Sequence, residues 1–91
     1  MDKISNHLDK EFLVFIRAIS DPTRLRVLNY LRQECCVGEL WKCLGLRQNL
    51  ASHHLRVLKN SGLVVSERRG LKMVYRLDKK KLAAGLKRLQ T

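Results

Sequence analysis

The apolar positions of residues 6–33 recur mostly at intervals of three and four, the spacing of one face of an α-helix. In the first predicted helix, residues 6–19, these positions are Leu8, Phe12, Phe15, Ile16 and Ile19. Asp21 and Pro22 then interrupt the pattern, and they are typical of an N-cap followed by the first residue of a helix. The second helix is therefore predicted from Pro22 to about Gln33. Its predicted apolar face consists of Leu25, Leu28 and Leu31.

Two shorter helices follow, and a tight turn joins them. Residues 37–44 are the third predicted helix and residues 48–61 the fourth, and the glycine after each one, Gly45 or Gly62, is a typical helix-ending signal. A short connection that contains glycine is typical of a helix-turn-helix, which we place at residues 37–61.

The hydrophobic pattern changes from helical to alternating after the fourth helix. Residues 63–68 are rich in β-branched side chains, residues 69–71 are a predicted turn, and residues 72–77 alternate, so residues 63–77 are predicted to form a β-hairpin. The last helix, predicted at 79–90, has an apolar stripe of Leu82, Leu86 and Leu89. The predicted fold is mainly α with a small β-hairpin, in the order α-α-α-α-β-β-α. This is the layout of a winged helix-turn-helix, in which the hairpin is the wing.

Length and charge limit what such a fold can do. A chain of 91 residues is predicted to be one domain, 1–91, with a core of modest size, so dimerisation would add buried surface. The formal net charge is +11 and it is uneven: residues 1–45 hold seven basic and six acidic side chains, whereas residues 46–91 hold twelve and two. A basic half beside a neutral half indicates a polyanionic partner, either nucleic acid or an anionic membrane.

The fourth predicted helix has one polar face without acidic residues. On a helical wheel of about 100° per residue, this face holds Asn49, Ser52, His53, Arg56 and Asn60, with Lys59 at its edge. Amide, hydroxyl, imidazole and guanidinium groups can all bond base edges in a major groove, so we predict that this face reads DNA. The alternative is an ordinary solvated face, although such a face usually mixes glutamate with lysine.

The two adjacent histidines of this helix point in different directions on the same wheel. His54 lies about 140° from Asn49, among apolar residues. We expect His54 to be packed and to bond a backbone carbonyl or a neighbouring side chain, whereas His53 faces the DNA side.

The predicted wing and the turn before the fourth helix carry further cations. Around the tip of the hairpin these are Arg68, Arg69 and Lys72, next to Glu67. A thin basic hairpin can reach phosphates or a minor groove, and the alternative is a loop that its charge keeps soluble. Arg47 and Lys42 are expected to contact phosphates, which position a protein without reading sequence.

Three stretches, followed by RRGLKMVYRL in the wing, resemble the ArsR/SmtB family of bacterial winged-helix repressors. They are SDPTRLRVLNYL at 20–31, CVGEL at 36–40 and QNLASHHLRVLKNSGLV at 48–64. The resemblance implies a homodimer built from helices 6–19 and 79–90, bound to double-stranded operator DNA and released by a small inducer. It also implies that the DNA-reading positions are Gln48, Asn49, Ser52, His53 and Arg56.

The metal sites of that family have no full counterpart in this chain. Thiolate-sensing members carry Cys-Val-Cys at the start of the third helix, where this chain has Cys36, Val37 and Gly38, and residues 78–91 lack the histidines of the zinc-type site. We therefore expect no resident cofactor. What remains is a thiol site for a soft metal or metalloid ion formed by Cys35, Cys36 and Cys43, with His7 as a further ligand. The alternative is that the cysteines are ordinary buried thiols.

Other classes of function fit less well. The sequence has no glycine-rich phosphate loop, no His-Glu-x-x-His and no paired carboxylates in an apolar setting, so we do not expect an enzyme. The polar N-terminus is not typical of a signal peptide and no apolar run could span a bilayer, so we expect a cytoplasmic protein without a membrane partner. The remaining alternatives are a non-specific architectural DNA-binding protein and a constitutive repressor that senses neither metal nor thiol chemistry.

Overall fold

A computed structural model describes residues 9–90, which form a mostly helical fold with a small antiparallel sheet. Its elements are α1 (Lys10–Ile19), α2 (Pro22–Tyr30), β1 (Cys35–Cys36), α3 (Val37–Cys43), α4 (Gln48–Asn60), β2 (Val64–Arg69), β3 (Lys72–Leu77) and α5 (Lys79–Gln90). The predicted winged helix-turn-helix is confirmed, with β1 as an unpredicted addition. Residues 6–8 of the predicted first helix, including His7, lie outside the described residues. No helix within residues 9–90 has the length and apolarity to cross a membrane.

Side-chain caps set the starts of the first two helices. The Asp9 carboxylate accepts a hydrogen bond from the Phe12 amide at 2.7 Å and caps α1, which begins at Lys10. The predicted start of α2 is confirmed, because the Asp21 carboxylate accepts from the Arg24 amide at 2.9 Å.

The second helix is shorter than predicted. It ends at Tyr30 rather than near Gln33, because the Leu31 carbonyl accepts a hydrogen bond from the Leu77 amide at 2.9 Å. This bond ties the end of α2 to the end of β3, a partner that is distant in sequence.

The helix-turn-helix has the predicted glycine stops. Gly45 and Gly62 have φ values of 66° and 83°, a region that glycine enters without steric cost. After α3, the Leu46 amide donates to the Trp41 carbonyl at 2.9 Å, and after α4 the Leu63 amide donates to the Leu58 carbonyl at 3.1 Å. Both are the six-to-one bonds of a Schellman motif, so the ends of α3 and α4 are fixed locally.

The sheet has three antiparallel strands in the order β1-β3-β2. β1 places Cys35 opposite Tyr75, and it has only two residues, too few to show an alternating pattern in the sequence. The predicted strand 63–68 is shifted by one residue, because Arg69 pairs with Lys72 and only two residues form the turn. The predicted turn at 69–71 is therefore wrong at its first position.

One contiguous core joins the helices to the sheet. Its buried members are Phe12, Phe15, Ala18, Val27, Leu28, Leu31, Cys35, Leu40, Leu55, Leu58, Leu63, Val64 and Leu77. Leu25, which was predicted to share a buried face with Leu28 and Leu31, is 50% exposed. The buried stripe of α2 is centred on Val27, Leu28 and Leu31, and Leu25 lies about 100° from that centre.

The Arg24 side chain joins three helices at the edge of this core. Its Nε donates to the Ala18 carbonyl at 2.8 Å and its Nη2 to the Arg17 carbonyl at 2.9 Å, at the end of α1. Its Nη1 lies 3.4 Å from Nδ1 of His54 on α4. His54 is only 7% exposed, so the prediction that it is packed against a neighbouring side chain is confirmed.

The burial of His54 predicts a pH dependence of stability. Burial lowers the pKa of His54 below its ordinary value of 6.5, Arg24 and His53 also lower it, and the Asp21 carboxylate acts in the opposite direction. The folded state therefore binds the proton less well than the unfolded state, and stability that is present above the unfolded pKa is lost as the pH falls below it. We expect the free energy of unfolding in urea to decrease between pH 7.5 and 5.5.

Two glutamine variants separate this contribution from other titrating groups. His54→Gln should reduce the dependence of unfolding free energy on pH over this range, whereas His53→Gln should retain most of it, because His53 is exposed and is the smallest of the causes that shift the pKa of His54. Equal pH dependences in the two variants would contradict the assignment to His54.

A close contact between α5 and α1 depends on Gly85. A Cβ atom at this position would lie 2.3 Å from Cε1 and Cζ of Phe15, which is only 5% exposed and cannot swing into solvent. The same two helices are joined by an ion pair of 3.2 Å between Lys81 and Glu11.

Gly85→Ala should therefore lower stability through overpacking, by about 1–3 kcal/mol in urea unfolding. Gly38→Ala is the matched control, because its added methyl group would meet only Trp41 Nε1 at 4.0 Å. The control should raise stability by about 0.5 kcal/mol, as alanine favours a helix. A Gly85→Ala protein as stable as the parent would show that α5 does not pack on Phe15 as described.

Candidate nucleic-acid interface

The two sides of α4 differ in the way the helical wheel predicts. The buried residues of α4 are Ala51, His54, Leu55 and Leu58. The exposed polar residues are Gln48, Asn49, Ser52, His53, Arg56, Lys59 and Asn60. The helix contains no acidic residue, so the polar groups of the exposed face are amides, a hydroxyl, an imidazole and cations. Leu50 is also exposed, at 42%, although the wheel places it outside the polar face.

The side chains at the centre of this face have polar groups free to bond another molecule. Among the described residues, Ser52, His53 and Arg56 form no hydrogen bond with the protein, and the Asn49 amide oxygen accepts only from the neighbouring Leu50 amide, at 3.0 Å. A polar face that makes so few internal bonds is held in place by the buried side of the helix. It can therefore present its groups to a partner without first breaking internal contacts.

The N-terminus of α4 adds positive potential to the same surface. Arg47 occupies the N-cap position without a side-chain capping bond, and the first turn contains no acidic residue. The partial positive charge of a helix N-terminus favours anions, and the exposed Arg47 guanidinium adds a full charge beside it.

A cleft of about 240 Å³ separates the end of this face from the sheet. It is lined by Ser52, Leu55, Arg56, Lys59 and Tyr75. The lining supplies two cations and two hydroxyls and no carboxylate, a set suited to an anion such as a phosphate. Tyr75 was not among the predicted site residues. The alternation of residues 72–77 placed it on one side of a strand, but only the register and packing of β3 show that this side faces α4.

The three wing cations lie on different faces of the sheet. Arg68 pairs with Met73 and shares a face with Ser66 and Tyr75, the side of the α4 cleft. Arg69 pairs with Lys72, so both belong to the opposite face. These cations are close together in sequence around one turn. The strand register nevertheless places Arg68 on one face of the sheet and Arg69 and Lys72 on the other.

Arg69 is already occupied by two carboxylates. Its Nη2 and Nη1 donate to the two oxygens of Glu34 at 2.6 and 3.1 Å, and its Nε donates to Glu67 at 2.5 Å. The hydrogen bonds that Arg69 donates to Glu34 and to Glu67 raise the pKa of its guanidinium above its ordinary value, so it stays charged. Arg68 and Lys72 are exposed and, within residues 9–90, neither forms such a pair.

The third helix contributes one more cation at the surface. Lys42, which was expected to contact a phosphate, is exposed in the last turn of α3 and its Nζ lies 5.9 Å from the centre of the Trp41 ring. Lys42 therefore lies just before the turn of the helix-turn-helix, and Arg47 lies at the end of that turn.

The three cysteines do not converge on a common point. Cys35 is buried and its Sγ donates to the Cys36 carbonyl at 2.9 Å, while burial raises the pKa of its thiol to about 11. Cys43 is exposed and accepts a hydrogen bond from the Tyr30 hydroxyl at 3.0 Å. Between residues 9 and 90, no group of three or more His, Cys, Asp or Glu side chains could hold a metal ion. The three-thiol site considered from the sequence is therefore not assembled in this conformation.

Comparison with known proteins agrees with this geometry. The family model described as "Bacterial regulatory protein, arsR family" matches residues 21–66, from the start of α2 into β2. The HTH-type transcriptional repressor SmtB of Mycobacterium tuberculosis is 41% identical over 69 residues, which cover 75% of this chain and 51% of that protein. The chain thus spans about half the length of the curated relatives it matches first.

Solved structures show the same fold. An ArsR-like transcriptional regulator from Rhodococcus sp. RHA1 superposes with a TM-score of 0.82 at 28% identity, covering 88% of this chain and 76% of that one. A homodimeric winged helix-turn-helix DNA-binding domain from Mycobacterium bovis, a possible ArsR-family transcriptional regulator, gives a TM-score of 0.77 at 26% identity, covering 84% of this chain and 72% of that one. The sequence match and the shared architecture lead to the same conclusion, that the chain belongs to the arsR family of bacterial regulatory proteins.

Proposed function

We propose that this protein is a transcriptional repressor that binds operator DNA sequence-specifically and is released by an inducer. The observation that carries the proposal is the exposed face of α4, which has base-bonding side chains, no acidic residue and few internal hydrogen bonds. The family and the matched relatives are transcriptional regulators rather than enzymes. A bacterial operator is cytoplasmic, so we place the protein there.

The residues of the interface divide into two groups by chemistry. Side chains that lie in the major groove read the base edges, and these are Gln48, Asn49, Ser52, His53 and Arg56. Cations at the ends of α4 and in the wing neutralise phosphates, and these are Arg47, Lys59, Arg68 and Lys72. Tyr75 adds a hydroxyl that can donate to a phosphate in the cleft beside Arg56 and Lys59.

A homodimer is the proposed binding unit. Apolar side chains are exposed on the two helices at the ends of the chain, and these are Leu13 and Val14 on α1 and Leu86 and Leu89 on α5. An adjoining groove of about 280 Å³ is lined by apolar side chains that include Leu25, Leu28 and Leu86. The Mycobacterium bovis neighbour is itself a homodimer, which supports burying these surfaces against a second copy. Two copies of α4 would then read half-sites about one helical turn of DNA apart.

The chemistry of the inducer stays open in this proposal. A soft metal or metalloid ion bound to Cys35, Cys36 and Cys43 would require rearrangement, because the Cys35 thiol is buried and Cys43 is held by Tyr30. A repressor without metal or thiol sensing needs no such rearrangement.

Alanine variants of the α4 face test sequence-specific binding. Against a duplex selected from a random library by the parent protein, Arg56→Ala and His53→Ala should each weaken binding by about fivefold or more, since a good base contact contributes about 1–3 kcal/mol. Against a scrambled duplex the loss should be smaller. Fluorescence anisotropy at several salt concentrations measures both, and a dimer that neutralises about eight phosphates should give a slope of log K against log salt near −7.

Lys59→Ala is the control for these variants, because it removes a proposed phosphate contact and should weaken binding to both duplexes equally. Equal losses on both duplexes for Arg56→Ala and His53→Ala would reject base reading by this face. A parent protein that binds both duplexes equally would instead be a non-specific architectural protein.

Tyr75→Phe tests the cleft between α4 and the sheet. Removing one neutral hydroxyl that donates to a phosphate should weaken binding to both duplexes by about two- to tenfold, since a typical hydrogen bond contributes about 0.5–1.5 kcal/mol. Tyr30→Phe is the matched control, because the Tyr30 hydroxyl bonds Cys43 and lies outside the cleft. If the two variants bind DNA equally well, Tyr75 is a packing residue only.

A further inference from the structure

The ion pairs of Arg69 connect parts of the chain that are far apart in sequence. Glu67 lies two residues before Arg69 in β2, whereas Glu34 lies 35 residues away, immediately before β1. β3 lies between β1 and β2 in the sheet, so the Arg69 side chain passes over β3 to reach Glu34. The guanidinium thus links the two outer strands of the sheet.

The strand register shows which face of the sheet carries this link. Glu67 and Arg69 alternate with Arg68, so they share a face, and Glu67 lies opposite Val74, which itself lies opposite Cys36 on β1. The other face carries Tyr75, whose side chain lines the cleft beside α4. The Arg69 ion pairs are therefore on the side of the sheet that faces away from the base-reading helix.

We propose that Glu34, Arg69 and Glu67 form a strap that fixes the orientation of the wing relative to α4, and that Arg69 is a positioning residue and not a DNA contact. The inference deepens the proposed function and rests on it, because it concerns the wing of the same interface. It replaces the sequence-based expectation that Arg69 binds phosphate.

Charge is the first argument for a strap. Two carboxylates and one guanidinium have a net negative charge, which repels a DNA phosphate instead of attracting it. Three of the five guanidinium N–H groups of Arg69 are bound to these carboxylates, so a phosphate would meet two remaining N–H groups beside two negative charges. Arg68, on the face of the α4 cleft and without a carboxylate partner among the described residues, has no such barrier.

The hairpin also needs a second point of attachment to the rest of the fold. A two-stranded hairpin alone is marginally stable in water, and β1 adds only two residues of pairing, near the middle of β3. The tip beyond Val74 has no further strand beside it. The strap holds Arg69, the last residue of β2 before the tip, to the segment that precedes β1. The side chains of Arg69, Glu34 and Glu67 are 51%, 44% and 56% exposed, so a single ion pair among them would be weak. Arg69 makes a two-point contact with Glu34 and donates a further bond to Glu67, and together these contacts form a network.

The experiment compares four single variants and one double variant by DNA affinity, salt slope and backbone order. Arg69→Ala and Glu34→Gln should each weaken binding to the selected duplex by about two- to fivefold, the range expected for a small exposed ion-pair network, and leave the salt slope unchanged. The double variant should bind no more weakly than either single variant. Arg68→Ala should make the salt slope shallower by about one unit, because it removes a phosphate contact. Glu39 is an exposed residue of α3. Glu39→Gln makes the same charge change as Glu34→Gln and should leave the wing unaffected.

A measurement without DNA separates the strap from the proposed function. In the free protein, ¹⁵N relaxation should show lower order parameters for residues 67–73 in Arg69→Ala and Glu34→Gln than in the parent or in Glu39→Gln. Unchanged order parameters in both variants would overturn the strap. A shallower salt slope for Arg69→Ala together with tighter binding by Glu34→Gln would also overturn it, because Arg69 would then be a phosphate contact for which Glu34 competes. If the parent protein binds no duplex at all, the proposed function fails while the relaxation result still decides on the strap.

Discussion

The position of α4, the proposed base-reading helix, depends on one arginine. Arg24 uses its guanidinium to bond the last carbonyls of α1 and the imidazole of His54, and its own helix begins at the Asp21 cap one turn before it. Three helices are thereby held at fixed relative positions by a side chain with several donors in one plane. The buried polar groups that this arrangement requires are satisfied, since no buried side-chain nitrogen or oxygen among the described residues lacks a hydrogen-bond partner.

The function of the surface follows from this internal arrangement. His54 and the buried leucines pack α4 against the core, so the residues on its other face are not needed for packing. The excess positive charge of residues 46–91 then lies on α4, the wing and α5. Glu34 and Glu67 bond Arg69 on the face of the sheet opposite the cleft, and no carboxylate lines the cleft itself among the described residues.

The sequence predicted the parts of this structure that depend on local periodicity and local caps. The helical wheel separated His54 from His53 correctly, and Gly45, Gly62 and Asp21 marked real helix ends. The sequence did not predict features that depend on contacts between residues distant in the chain. The end of α2 is set by a bond to Leu77, β1 exists because β3 lies beside it, and the face on which Arg69 lies is decided by strand register and by Glu34. Tyr75 was missed for the same reason, since its role depends on how the sheet packs against α4.

We propose that DNA lies against the exposed face of α4 and the wing, and the basic helix α5 is the main rival surface. A ¹H–¹⁵N chemical-shift titration of the labelled protein with the selected duplex distinguishes them directly. We expect the largest saturable shifts within residues 47–60 and 67–75, with the Asn49 side-chain amide among them. Shifts confined to residues 79–90, with α4 unperturbed, would contradict it.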